Sequence, residues 1–217
     1  REVESVHACM EATSRYGDAL ATFLHAEGYD VSVVNPARIL HYGRSKLLRA
    51  KTDKTDAILI ADFCAKVTPS LWEPPSIYQS ELQSLTRYLN ELKASRTREK
   101  TRLKSRVPSG TVKRAIQDHI DFLDEQIKQV DEEIQELVKQ NEEHDQQMKL
   151  LLSIPGIGKT TAASFLAEVP DVSAFAQAKH LAAHAGLCPR EHRSGTSVRK
   201  KSRLSKTGSK HLRTIFY

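Results

Sequence analysis

Seven aliphatic residues, Ile116, Ile120, Leu123, Ile127, Val130, Ile134 and Leu137, follow one another at spacings of 4, 3, 4, 3, 4 and 3. That period draws one apolar stripe along a helix and cannot be satisfied by a strand, whose period is two. The stripe has to be covered by another helix, so the centre of the chain is predicted to be a long helix in a coiled-coil-like pair. Asn141 and His144 continue the register with polar residues, Met148 and Leu151 restore it, and acids cover the outer faces. The covering helix is either a second copy of the chain or a helix of the same chain. Four heptads do not choose between them.

Charge is sorted into blocks of alternating sign. Residues 87 to 114 carry ten Lys or Arg against Glu91 and Glu99, a balance of +8, whereas residues 118 to 145 carry eleven acids against Lys128 and Lys139, a balance of −9. From Lys179 onward five Lys and five Arg stand against Glu191, a balance of +9. Basic blocks of this kind suit a polyanionic partner. The longest apolar stretch, Ala57 to Ala61 followed by Phe63 to Ala65, is interrupted by Asp62 and falls far short of the roughly 20 residues that span a bilayer, so no membrane segment is expected. Cys9, Cys64 and Cys188 are far apart and form no C-x-x-C pair, which argues against a disulfide framework or a zinc knuckle and fits a reducing cytoplasm. The chain opens at Arg1 without a methionine and stops at Tyr217 inside a stretch that reads as helix, and both ends are expected to be cut.

The front of the chain reads as α/β. Val6 to Met10 is a short strand candidate, Arg15 to Glu27 has helical spacing and Gly28 ends it, and Tyr29 to Val34 is a valine-rich strand stopped by Asn35-Pro36. One parallel strand–helix–strand crossover is the natural arrangement. Arg44 to Lys51 reads as a basic linker, after which Thr52 or Asp53 caps a helix through Phe63. Pro69, Pro74 and Pro75 then break the chain, and a helix is predicted from Ser80 to about Arg106, with Pro108-Ser109-Gly110 behind it. From Ser153 onward short helices with polar connectors are predicted, with residues 189 to 201 a loop and a last helix starting near Gly208.

Three constellations can carry chemistry. Asp53 and Asp56, three apart at a helix start, lie on one face and can share a divalent cation; acids there also simply favour the helix dipole. Glu11, at the end of the first strand, adds a carboxylate in the way a nuclease-like sheet gathers oxygen ligands for magnesium. Gly158-Lys159-Thr160 resembles part of a phosphate loop, but Ser153 stands where that loop needs a glycine and a helix precedes it, so no nucleotide cofactor is expected. Ser153 to Ala163 reads better as a helix-hairpin-helix, in which Gly156 and Gly158 let backbone amides approach a DNA phosphate and Lys159 adds charge; the same hairpin can also serve as a plain structural joint. Finally, Ser194 lies among Arg190 and Arg193, which can hold a phosphate while the hydroxyl attacks it or merely contacts it.

Read in order, Cys9-Met10-Glu11-Ala12-Thr13 with Tyr16-Gly17, Val33-Val34-Asn35-Pro36-Ala37-Arg38, Lys51-Thr52-Asp53-x-x-Asp56-Ala57, Ile154-Pro155-Gly156-Ile157-Gly158, Leu181 to Leu187 with Pro189-Arg190, Arg193-Ser194-Gly195 and Leu204-Ser205-Lys206-x-Gly208 resemble the DEDD transposases related to the Piv invertases. These are insertion-sequence enzymes, some directed by a structured bridge RNA. The resemblance implies an incomplete RuvC-like domain of the ribonuclease H type over 1–107, a coiled coil over 108–150 and a helical transposase domain with a helix-hairpin-helix over 151–217. It places the family's glutamate on Glu11, its paired aspartates on Asp53 and Asp56 and its serine nucleophile on Ser194, with magnesium as the cation. Arg190, Arg193, Gly156, Gly158, Lys159 and Lys206 are the implied nucleic-acid contacts. No Asp precedes Glu11, so the first acid of the tetrad is missing and this stretch alone is expected to be inactive. The implied partners are DNA, a guide RNA and further copies of the chain, as a dimer or tetramer through the coiled coil, in a bacterial or archaeal cytoplasm.

Two readings from other classes stand beside this one. A non-catalytic dimeric module can use the same basic blocks to grip phosphates. A tyrosine recombinase would use Tyr217 after His211 and Arg213, but Thr214 stands where its arginine belongs.

Overall fold

The structure, a computed structural model, describes residues 6–12, 15–47, 52–105, 109–194 and 198–216. Two compact units divide at Pro75–Ser76.

The first unit is built on a parallel pair, β1 (His7–Glu11) and β2 (Asp30–Val34), in register from His7 opposite Asp30 to Glu11 opposite Val34. Helix α1 (Arg15–Ala26) makes the crossover, as the strand–helix–strand order requires. Asn35-Pro36 does more than stop β2. The Asn35 side chain accepts the Ala37 N–H at 2.8 Å and Pro36 takes the first turn of α2 (Pro36–Ser45), a helix the sequence reading lacked because it took this dipeptide as a stop alone. The expected basic linker therefore begins inside α2, and residues 48–51 lie outside the described residues. Thr52 caps α3 (Asp53–Val67) through a reciprocal pair: Thr55 N–H donates to the Thr52 hydroxyl and Thr52 N–H to the Thr55 hydroxyl. Val34, Ile39 and Phe63 form the small core, with Cys9, Tyr42, Leu59 and Ile60 against it. Behind β2, the fully buried Ser32 hydroxyl donates to the Ser70 carbonyl at 2.8 Å. His7 Nε2 lies 2.8 Å from the same Ser32 Oγ and ties β1 to it.

The second unit is helical at its centre. Ser76 caps α4 (Ile77–Lys104), and Ser109 caps α5 (Gly110–Lys139), which folds back on it. The stripe of α5 is buried at Ile116, Ile120, Leu123, Ile127, Val130, Ile134 and Val138, the last replacing the expected Leu137, which is half-buried. From Leu123 onward its cover is Leu82, Leu89 and Leu92 of α4 together with α6 (Glu142–Leu152) and α7 (Lys159–Glu168). The seam offered to a second copy is thus occupied within the chain, and the coiled-coil route to a dimer is corrected accordingly. The same packing puts residues 76 to 107 with the helical unit, whereas the sequence grouped them with the α/β front. Asn141 does not extend the seam; its side chain accepts the His144 N–H at 3.0 Å and starts α6. Transfer of seven such side chains from water is worth on the order of 10–20 kcal/mol before chain entropy is subtracted. The charge blocks then match across the hairpin: Arg96 meets Asp124 at 2.7 Å, Lys100 meets it at 3.6 Å, and the largely covered Glu168 of α7 takes Arg87 at 2.8 Å. Exposed ion pairs stabilise far less than the buried stripe, so they select the pairing and the stripe holds it.

The remainder comprises α8 (Ala178–His184), an antiparallel pair β3 (Pro189–Ser194) and β4 (Val198–Leu204), and α9 (Lys210–Ile215). Of the loop predicted over 189 to 201, the described residues 189–194 and 198–201 are therefore strands of a ribbon. Its residues alternate no apolar face for a strand pattern to reveal, and its pairing is legible only in three dimensions. Among the described residues no helix is long and apolar enough to cross a membrane.

Two measurements check this packing. Ile134→Ala, at a position without exposed surface, is expected to cost about 2–5 kcal/mol in urea unfolding, while Asp124→Asn moves the midpoint far less. His144 is buried beside Tyr78, whose hydroxyl lies 2.8 Å from Nδ1; burial pushes the imidazole below its ordinary pKa, with Glu143 and the Pro170 carbonyl opposing. Below about pH 6.5 the unfolded chain takes up a proton here that the folded chain resists, so the histidine's contribution is complete above that pH and is lost as pH falls through it. The urea midpoint should drop more steeply between neutral and mildly acidic pH in the parent than in His144→Gln.

Candidate functional site

The first group of candidate residues belongs to the α/β unit. Glu11 is the last residue of β1, at the carboxyl end of the parallel pair, where open α/β sheets place their ligands. It lines a cavity of about 660 Å³ together with Cys9 of β1, Gly17 of α1, and Ala57, Ala61 and Cys64 of α3. The strand end and the first turns of α3 therefore flank one space. Asp53 is exposed and Asp56 half-buried in the first turn of α3, and neither lines that cavity. Among the described residues no three His, Cys, Asp or Glu side chains come together as metal ligands. The structure thus brings Glu11 to the start of α3 without converging the three carboxylates on one point. Burial, and then the neighbouring Cys64, push the Cys9 thiol up to about 12, so it stays protonated and packs as an apolar group at neutral pH.

Asp62 of α3 was not singled out from the sequence. It accepts the Tyr42 hydroxyl at 2.8 Å, Lys66 at 2.7 Å and Lys46. Lys46 first, then Lys66 and Tyr42, hold its carboxyl well below the usual carboxylate range, and it ties α2 to α3. The i,i+4 spacing to Lys66 was visible in the sequence; the reach to Tyr42 and Lys46 depends on α2, which was not.

The second group lies in the helical unit. Between α6 and α7 the chain reverses over residues 153–158, with the Ile157 N–H donating to the Ile154 carbonyl at 3.1 Å. Gly156 sits at φ +91°, a conformation a side chain would strain, and Gly158 caps α7 without a side chain, so the first amides of α7 receive no side-chain cap. Lys159 follows, exposed. Thr160 turns inward instead: Lys93 donates to its hydroxyl at 2.7 Å, and that hydroxyl lies 3.4 Å from Asp131. Burial lowers the Lys93 pKa, with Asp131 opposing.

Ser194 is the last residue of β3, opposite Val198, with Arg193 opposite Arg199 and Arg190 opposite Arg203. It is therefore in a strand, not in the flexible loop expected of it. Ser197, three residues on, lies outside the described residues, as does Tyr217. Ser205, of the Leu204-Ser205-Lys206 motif, is engaged in a joint: its N–H donates to the Cys188 carbonyl at 2.9 Å and its hydroxyl to Gly186 O at 3.2 Å. Lys206, exposed, donates its N–H to Gly186 O at 3.1 Å. The joint closes on two glycines in direct backbone contact. A Cβ on Gly208, at φ +139°, would run into the His184 carbonyl oxygen and stand 2.9 Å from the Gly186 nitrogen. Arg213 adds a hydrogen bond to the Ala185 carbonyl at 3.2 Å. Both glycines were visible as motif letters, but that they touch was not.

Two family models match the chain, and the first runs past the Pro75–Ser76 division into α4. A model described as "Transposase", of the DEDD type named for IS110, matches residues 1–109, and one described as "Transposase IS116/IS110/IS902 family" matches residues 148–217. The "Pilin gene-inverting protein" of Moraxella bovis is 38% identical over 213 residues, covering 98% of this chain and 66% of its own length, and that of Moraxella lacunata gives the same figures. The "Transposase for insertion sequence element IS1111A" of Coxiella burnetii is 27% identical over 237 residues, covering 95% of this chain and 62% of its own. The chain thus spans just under two thirds of these relatives.

The glycine contact gives a direct test. Gly208→Ala should destabilise the second unit by at least roughly 1–3 kcal/mol, because positive φ is strained and backbone has to move. Gly110→Ala, where a Cβ meets nothing within 4 Å, should leave the urea midpoint unchanged or raised.

Proposed function

The chain belongs to the IS116/IS110/IS902 family of DEDD transposases, and from that premise we propose that the whole protein cuts and rejoins DNA strands with Ser194 as nucleophile and a carboxylate site built on Glu11, Asp53 and Asp56. The observation that carries this reading is the cavity shared by the end of β1 and the start of α3, which brings Glu11 to the helix that bears both aspartates. In this reading β1, α1 and β2 are part of a RuvC-like domain.

The carboxylates are the oxygen donors this chain offers to magnesium. No three donors converge among the described residues, and the ion takes about six oxygens, so the set does not by itself fit the ion. The chain's other residues have definable tasks. The Ser194 hydroxyl attacks a phosphorus of the DNA backbone; the bond from that phosphorus to a deoxyribose oxygen breaks, the serine proton passes in net to that departing oxygen, and a phosphoserine diester remains. A deoxyribose hydroxyl of the second strand reverses the exchange. One phosphate ester replaces another at each step, so no ATP is consumed. Arg190 and Arg193 hold the phosphate under attack through paired N–H donors. Gly156, Gly158 and Lys159, in a helix-hairpin-helix between α6 and α7, and Lys206 after the ribbon, hold DNA backbone further along.

A structured guide RNA is the second polyanion proposed, and the exposed basic residues of α4 beyond Lys93 are its candidate contacts. We further propose that the acidic site of one copy meets the serine of another, through a surface other than the α5 seam. Strand exchange of this kind serves inversion, as named for the Moraxella relatives, and transposition, as named for the Coxiella one. Acting on DNA, the protein would work in the cytoplasm of a bacterial or archaeal cell.

In the intact protein, Ser194→Ala should abolish SDS-resistant adducts with labelled DNA while leaving duplex affinity within about threefold of the parent. Asp53→Asn and Asp56→Asn should reduce adduct formation in magnesium. Adducts that persist in Ser194→Ala sink the assignment of the nucleophile; a parent protein that binds DNA but never forms an adduct is a non-catalytic binding module instead.

A further inference from the structure

The ribbon of β3 and β4 pairs residues that should repel. Arg190 has Arg203 as its Cα partner, His192 has Lys200, and Arg193 has Arg199. Like charges directly opposite destabilise an antiparallel pair, and a lone two-stranded hairpin is marginal in water to begin with. The two strands hold Lys or Arg at 190, 193, 199, 200, 201 and 203 against one acid, Glu191, and their large aliphatic residues are Val198 and Leu204 alone. Neither cross-strand attraction nor burial of an apolar face accounts for the pairing. A polyanion lying along both strands does. The base of the ribbon, by contrast, is built rigidly, through the Gly186–Gly208 contact and the Ser205 hydrogen bonds. Lys201, Ser202 and Arg203 are exposed.

We propose that the β3–β4 ribbon is a docking element for duplex DNA, laid into the major groove with the basic residues of each strand against the phosphates of one groove wall. A B-form major groove, about 12 Å wide, admits a two-stranded ribbon. The major groove of an A-form RNA duplex is too narrow and deep for it. Single strands offer one line of phosphates where the ribbon presents two lines of cations. The inference rests on the reading of the protein as a DNA recombinase and adds to it the form of the partner and the surface that takes it. Ser194, at the end of β3, is then carried by the element that grips the duplex.

The test measures affinity of the intact chain for a DNA duplex of two helical turns, the RNA duplex of the same sequence and the single DNA strand, over a range of salt. In Arg199→Gln/Lys200→Gln/Lys201→Gln/Arg203→Gln, the slope of log affinity against log salt for duplex DNA should fall by about 3–4, at ~0.9 for each phosphate the protein ceases to neutralise. The urea midpoint should not fall below the parent's value, since the substitutions relieve like-charge pairs, and Lys200→Arg/Lys201→Arg should keep the parent slope. In the parent, hydrogen exchange at residues 189–194 and 198–204 should slow when duplex DNA is added. An unchanged slope, or exchange unaffected by the duplex, overturns the ribbon inference while leaving DNA binding intact. RNA duplex bound as tightly as DNA, and lost in the same variant, overturns the groove assignment. A parent chain that binds no DNA overturns both this inference and the proposed function.

Discussion

Covering the α5 stripe with α4 is the constraint on which the second unit rests. The stripe removes its seven aliphatic residues from water only if α4 folds back along it, and that reversal brings the basic half of α4 opposite the acids of α5. The alternating charge blocks, which in a linear chain suggest two separate surfaces for partners, are in part each other's partners. Once α4 and α5 are locked, α7 can enter the remaining groove. It is buried on all sides from Ala162 to Ala167, and the Gln79 amide of α4 donates to the Leu166 and Ala167 carbonyls at its end. A helix buried all round is stable only inside such a frame.

From that frame the rest of the unit is hung by backbone contact. The α6–α7 reversal exposes Lys159 and leaves the first amides of α7 without a side-chain cap, while Thr160 anchors inward on Lys93. The glycine joint between residues 184–188 and 205–209 fixes the base of a ribbon that has no core of its own. This division of labour is physically sensible. Apolar packing supplies the stability of the helical frame, and under the proposal above the strongly basic ribbon is left to meet a partner.

The α/β unit follows the same logic at smaller scale. A short parallel pair and two capped helices enclose a modest core, and the strand end with Glu11 opens on the cavity that α3 also lines. Lys46, Lys66 and Tyr42 hold Asp62 as a structural clasp, which separates this carboxylate from those at the exposed start of the helix.

Local chemistry determined a good deal. The β1–α1–β2 crossover, the Thr52 cap and the α5 stripe follow from periodicity and capping, which act over a few residues, and the ordered motifs sufficed to name the family. Helix α2 was hidden because Asn-Pro stops a strand and starts a helix with the same two residues. What only tertiary structure decided were relations between residues far apart in the chain: that the α5 seam is covered by α4, that Asp62 answers to α2, that Gly186 and Gly208 touch, and that residues 189–204 pair at all. The physical reason is that propensity and spacing describe one element at a time, whereas which face meets which partner is settled by the free energy of burying them together.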